Sequence, residues 1–323
     1  MEGRVLRFVD KKRRLKLSVH DVIEAGPPSG DLNLQVTWRS KQRMHAGQRV
    51  HSEYQQLEQA RDERFQREVT VKHLLVIDGW DVEISGRIDG VRDLGGRLEV
   101  EEIKSSVLPG EVLKQRRIEE LVAWRRQTEL YMYFLQAQGH QVSGVLVLVS
   151  LFDQSTHRLA VPPDPDTEAY VIKQIRWMIA KREQRIKWLV QRRVAQRNVL
   201  PFPHDAYREG QAEVTQELSR LLELERIILL QAPTGYGKTA AALYAAINSA
   251  YAKDKRVFFA TSRTTQQRMA EETIDALRAK GVPVRAISIR AKEKSCLNDK
   301  VLCRADCCPY AAGYYNKIAA SQL

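Results

Sequence analysis

Asp89, Glu102 and Lys104 are the residues whose types and spacing first suggest chemistry. Alternate residues of a β-strand share a face, so a strand through Glu101-Glu102-Ile103-Lys104 points Glu102 and Lys104 together and sends Ile103 into the core. Asp89, in Gly86-Arg87-Ile88-Asp89-Gly90 near the end of a preceding strand, can approach the same point. Two carboxylates can hold a divalent ion, Mg²⁺ or Mn²⁺, that polarises a scissile phosphate and lowers the pKa of water. A nearby lysine then orients the nucleophile or offsets developing charge.

A second constellation runs from Ala232 to Thr239, reading APTGYGKT between an apolar run (IILLQ) and an Ala-rich helical stretch. In such a loop successive backbone N–H groups point at phosphates, and the helix N-terminus adds partial positive charge. Lys238 would reach the β/γ-phosphates of ATP and the Thr239 hydroxyl would hold Mg²⁺, with Thr234 in the same loop. Gly235 and Gly237 let the backbone approach without a Cβ in the way. The usual pattern starts with Gly, where this chain has Ala232. A third cluster gathers all four cysteines, Cys296, Cys303, Cys307 and Cys308. Zinc and a [4Fe–4S] cluster both accept four thiolates, and spacing alone does not choose between them. Neighbouring Cys307 and Cys308 would have to bend sharply to reach one centre, and Cys308, ahead of Pro309, is the better ligand of the two.

These groups need a scaffold. Residues 3–20 predict a hairpin, and helical periodicity follows around 47–69. Short strands are expected at 72–76, 80–88 and 97–104, then a helix through 112–138 and a strongly apolar strand at 142–152. The sequence VPPDPD at 161–166 is a loop, and 167–198 carries apolar residues at helical spacing, with Arg176, Lys181, Arg182, Arg185 and Lys187 on a basic face that could track phosphates. LPFP at 200–203 marks a domain boundary, after which strand (226–231), glycine loop, helix (238–252) and strand (256–261) follow in α/β order.

With 323 residues the chain has room for two domains, and 52 Lys plus Arg against 40 Asp plus Glu give net +12, favouring a polyanionic partner. Its longest apolar stretch, 144–152, is too short to span a bilayer, and the N-terminus lacks an apolar signal core, so no membrane role and a cytoplasmic location are expected.

Two resemblances sharpen this. The Asp89, Glu102, Lys104 pattern is similar to the core of PD-(D/E)XK nucleases, although Arg87 precedes Ile88-Asp89 where a Pro is usual. Gly47-Gln48-Arg49-Val50-His51 resembles the helical motif of RecB-type nucleases, which implies His51 as a further metal ligand. Gln127-Thr128-Glu129-Leu130-Tyr131 resembles their QxxxY element, its Gln127 and Tyr131 one helical turn apart. From about Phe202 onward the chain resembles the start of an iron–sulfur helicase of the XPD/DinG type (Rad3-like, superfamily 2). Tyr207-Arg208-Glu209-Gly210-Gln211 is similar to its adenine-recognition segment, which implies Arg208 and Gln211 near the base, and Thr261 to Gln266 to its next motif. That family context implies a 4Fe-4S cluster on Cys296, Cys303, Cys307 and Cys308.

The fold class so expected is α/β: a PD-(D/E)XK nuclease-like mixed sheet flanked by helices over 1–166, a connecting helix at 167–199, the N-terminal part of a P-loop (RecA-like) motor at 200–290 and the start of an iron–sulfur domain at 291–323. The implied function is an ATP-dependent DNA helicase/nuclease acting on single-stranded or forked DNA, with the remainder of the motor missing from this chain. Two other readings stay open: a DNA-binding module whose nuclease site has decayed, and a P-loop NTPase acting on a substrate other than nucleic acid.

Overall fold

A computed structural model describes residues 6–32, 41–224, 227–298, 301 and 303–320, with the side chains of 41–46, 292 and 319 left aside. The chain divides into two compact units, Met1–Ala180 with Leu302–Leu323, and Lys181–Val301.

The first unit is built on a seven-stranded mixed sheet. β1 (Arg7–Val9) and β2 (Arg14–Ser18) form the expected hairpin, turned by a 3-10 stretch and by Arg13 in a left-handed conformation. β3 (Phe65–Ile77) and β4 (Trp80–Asp93) form a long antiparallel pair, and β5 (Arg97–Ser106) folds back on the end of β4. β6 (Gln141–Ser150) lies parallel to β5, and β7 (Thr156–Val161), which periodicity did not single out, completes that edge. Helices α1 (Val19–Glu24), α2 (Lys41–Arg61), α3 (Gly110–Leu113), α4 (Val122–Ala137) and the first part of α5 (Thr167–Ala195) belong with this sheet.

Two sequence expectations need correction here. The helix expected over 47–69 ends at Arg61, and 65–69 join β3, because Phe65, Val69 and Val71 gain ladder partners on β4. The single helix expected over 112–138 is broken into α3, a 3-10 turn at Ile118–Glu120 and α4, at the charged run Lys114-Gln115-Arg116-Arg117, which has no apolar face to bury.

The sheet separates two cores. The larger packs Leu15, Leu17, Ile84, Ile88, Leu146 and Leu148 against Leu130, Phe134, Val171 and Ile175. The smaller, on the opposite face, sets Ile103, Val145, Val147 and Val149 against Val50 and Tyr54 of α2. Along one edge of β4 the ladder to β2 covers Asp81 to Ser85, and the ladder to β5 resumes only at Gly90. Residues 86–89 therefore face a fork in the sheet.

The second unit is helical among its described residues. After the end of α5 come α6 (Gln211–Glu223), α7 (Lys238–Ala252), α8 (Thr264–Ala279) and α9 (Lys292–Ser295). Leu200, Phe202, Leu243, Tyr244, Ile247, Tyr251, Leu277 and Val282 form its core. Trp188 of α5 donates its indole N–H to Pro283 O at 2.7 Å. The strands expected at 226–231 and 256–261 are absent among the described residues, so the α/β order expected there is not formed. A strand exists only through a partner's hydrogen bonds, and these segments have none: Ile227, Leu229 and Phe258 are 96, 95 and 90 % exposed. The last helix, α10 (Tyr314–Ala320), groups with the first unit, where Leu32 N–H bonds Ala311 O at 2.8 Å.

Candidate active site

The fork in the sheet gathers residues from four elements. Asp89 lies on β4 just before the ladder to β5 resumes, and its Oδ2 accepts the Ile103 N–H at 2.8 Å, a bond that β5 can give because no strand pairing claims it there. Glu102 and Lys104 extend from β5 on the same face, as the strand period requires, and Lys104 Nζ lies 2.5 Å from Glu102. His51 comes from α2, with Nε2 at 3.1 Å from Asp89 Oδ2. Gly47, one turn earlier on α2, permits this approach: a Cβ there would stand 2.7 Å from Ser105 Oγ.

The α4 pair supports the other side. Lys104 Nζ donates to Gln127 Oε1 at 3.1 Å, and the Tyr131 hydroxyl donates to Arg87 O at 3.0 Å. Tyr131 can lie flat on β4 because Gly86 has no side chain; a Cβ there would meet the Tyr131 ring at 2.5 Å. The structure thus sets His51 against Asp89 and Lys104 against Glu102, with Gln127 and Tyr131 as their supports, while Glu102 stands outside the group of candidate ligand atoms that includes His51 and Asp89.

Burial sets the electrostatics. Glu102 is fully buried, and its removal from water pushes its carboxyl well above the usual carboxylate range; nearby Asp89 adds to this, and Lys104 opposes it. Burial alone would pull Lys104 down, but Glu102 and Asp89 outweigh it and hold the ammonium above the usual lysine range. Neither oxygen of Glu102 accepts a well-formed hydrogen bond. The Lys104 ammonium offsets part of the cost of burying this carboxylate beside Asp89. The nitrogen and oxygen donors of His51, Asp89 and Glu102 are of the kind that hold Mg²⁺ or Mn²⁺, so the residues present fit such an ion.

Three residues at the site escaped the sequence reading. Glu68 of β3 brings a carboxylate within 4.8 Å of ligand atoms of both His51 and Asp89. Gln55, buried on α2, donates to Glu68 Oε1 at 3.0 Å and to Asp89 O at 2.7 Å. Arg92 pairs with Glu58 and Asp62, each at 2.7 Å, and with buried Glu101 at 3.0 Å, fastening α2 to the sheet. The one available signal was the period of α2, which puts His51, Gln55, Glu58 and Asp62 on one stripe.

In the second unit the glycine loop precedes α7 as expected. Gly235 and Gly237 have φ of 82° and 83°. Lys238 Nζ donates to Ala232 O and Pro233 O, both at 2.7 Å, and Arg208 donates to Gly235 O. Buried Gln211 donates to Tyr236 O and Gly237 O, each at 3.2 Å. Thr234 is exposed and Thr239 half-buried.

No three of the four cysteines gather within reach of one mononuclear ion among the described residues. Cys307 is exposed with its thiol directed at Arg304 O, whereas adjacent Cys308 is buried. Successive side chains here face different surroundings, and the grouping of candidate metal ligands found among the described residues, His51, Glu68 and Asp89, contains no cysteine. On the basic helix, Arg176 pairs with Asp78 at 3.3 Å. No helix among the described residues is long and apolar enough to cross a membrane.

Comparison with known proteins adds a family. The profile of the PD-(D/E)XK nuclease superfamily matches residues 7–312. A solved structure described as "Crystal structure of SSO0001" is 18 % identical, with a TM-score of 0.34, over 51 % of this chain and 75 % of that one. Among curated proteins none matches.

Proposed function

The chain belongs to the PD-(D/E)XK nuclease superfamily, a family of metal-dependent nucleases, and from that premise we propose that its first unit cuts phosphodiester bonds in DNA at the fork between β4 and β5. The observation that carries this is the placing of His51 against Asp89, and of Lys104 against Glu102, at one fork from α2, β4 and β5. His51, Asp89 and Glu102 would hold Mg²⁺ or Mn²⁺. When bound, such an ion polarises the phosphate and lowers the pKa of an attacking water.

The chain's own residues supply the rest. Lys104 is held as an ammonium, so it serves as a fixed positive charge for the phosphate and not as a proton acceptor. Gln127 fixes where that charge sits, and Tyr131 fixes the backbone of β4 two residues ahead of Asp89. The net charge of +12 favours a polyanionic substrate. Single-stranded or forked DNA is the form proposed, on the resemblance of the later residues to a DNA motor. The test is incubation of labelled single-stranded and duplex DNA with Mg²⁺ or Mn²⁺: cutting that is lost in Lys104→Ala supports the proposal, and binding without cutting in the native chain refutes it.

A second reading concerns the loop before α7. Its left-handed glycines, its lysine at the helix start and buried Gln211 lashed to its carbonyls support binding of a nucleoside triphosphate, ATP being the form proposed. Lys238 would exchange the carbonyls of Ala232 and Pro233 for phosphate oxygens. Titration with a fluorescent ATP analogue checks this, Lys238→Ala being expected to abolish binding; equal binding by both proteins would refute it.

A further inference from the structure

Glu68 lies outside every motif from which the site was read, and its backbone is unusual. Within β3 it has a φ of +59°, the left-handed region that glycine favours. The ladder to β4 pairs Arg67 with Gly90 and Val69 with Ile88, but skips Glu68 opposite Asp89. A conformation of this kind costs free energy and persists only where its surroundings impose it. Gln55 does so from α2, one hydrogen bond reaching Glu68 Oε1 and the other Asp89 O. The second oxygen of Glu68 meets Arg87 Nε at 2.6 Å.

The outcome of this distortion is a third donor beside His51 and Asp89, with ligand atoms of all three within 4.8 Å of one another. Asp89 also stands beside the fully buried Glu102 carboxylate, which the Lys104 ammonium meets at 2.5 Å. An ion pair with half-exposed Arg87 would not by itself require the distortion, since residues on adjacent strands reach each other in ordinary extended geometry.

We propose that Glu68 is a direct ligand of the divalent cation held at Asp89, and that the Arg87 guanidinium competes with the cation for its carboxylate. This rests on the reading of the fork as a cation-binding nuclease centre. His51 supplies a nitrogen, Glu68, Asp89 and Glu102 supply oxygens, and this mixed hard donor set suits Mn²⁺ and Mg²⁺. Because the Arg87 pair is partly exposed, screening keeps its competition weak, whereas losing a ligand is felt in full.

Mn²⁺ binding to the full chain without nucleotide, read from the electron paramagnetic resonance signal of free Mn²⁺, tests this independently of cleavage. Glu68→Gln retains an acceptor for Gln55 and is expected to weaken Mn²⁺ binding about tenfold. Arg87→Gln is expected to tighten it about threefold, and to do nothing once Glu68→Gln is present. Tightening cannot come from a misfolded protein, so this variant guards against that explanation. If Asp89→Asn loses binding while Glu68→Gln stays within about twofold of the native chain, Glu68 is no ligand and the nuclease centre stands. If the native chain and Asp89→Asn bind Mn²⁺ alike, the centre itself is wrong and this inference falls with it.

Discussion

The two units of this chain hold similar apolar runs and put them to different ends. In the first, Val145 to Val149 of β6 are buried between β5 and β7, with every residue of the run in a ladder. In the second, Ile227, Leu229 and Phe258 lie almost wholly exposed and pair with nothing among the described residues. The local β preference is alike in both, so the contrast teaches that a strand is a relation between segments and not a property of one. The polar groups differ in the same way. At the fork, side chains of α2, β4 and β5 meet one another, whereas Lys238, Arg208 and Gln211 bond to backbone carbonyls of the 232–237 loop.

The sharpest way to break this contrast is catalytic. Asp89→Asn is expected to lower DNA cleavage about a thousandfold or more, while Leu229→Ser in the second unit leaves it unchanged. Gel assays on purified variants check both, and cleavage lost in Leu229→Ser would mean that the second unit shapes the site.

Stability should divide the units next. Leu146→Ala removes a fully buried side chain and is expected to cost about 3 kcal/mol, against less than about 0.5 kcal/mol for Leu229→Ala, as measured by urea unfolding. Equal costs would mean that the exposed run is buried in solution.

The pH dependence of the fork is the third measurement. The Glu102 carboxyl titrates above its unfolded value, so without divalent cation its contribution to stability is present at acid pH and is lost as pH rises through its folded pKa. Cation binding runs the other way, because the proton must leave first. Mn²⁺ affinity is expected to rise up to about tenfold per pH unit above the usual carboxylate range, and Glu102→Gln should flatten the slope. A flat profile in the native chain would show that Glu102 is already ionised.

The smallest effect concerns how α2 approaches β5. Gly47→Ala places a Cβ against Ser105 Oγ and is expected to destabilise the first unit by about 1 kcal/mol. Adding Ser105→Ala should restore the loss, since it removes the clashing hydroxyl; failure to restore it would mean that the close approach is not what Gly47 provides.

Some of this was legible in the residues themselves. The period of a strand put Glu102 and Lys104 on one face and Ile103 on the other, and the period of a helix aligned Gln127 with Tyr131, because both depend only on local backbone geometry. The glycine loop and the helix after it were legible for the same reason. Misreadings arose where a segment's state depended on distant partners: 65–69 became strand because β4 was available, and 227–231 formed no strand because nothing paired with it. The spacing of the cysteines could not show that adjacent Cys307 and Cys308 differ, one exposed and the other buried.

The sequence by itself therefore determined which side chains share a face within each element, and with that the mixed acidic and basic character of the fork. Only the tertiary structure decided that β4 parts from β2 before it meets β5, that Gly47 lets α2 deliver His51 into the opening, and that Glu68 turns toward Asp89 from a strand no motif marked. The physical reason is one of range. Periodicity is fixed by bonds between neighbouring residues, whereas a site is fixed by the register and close packing of segments far apart along the chain.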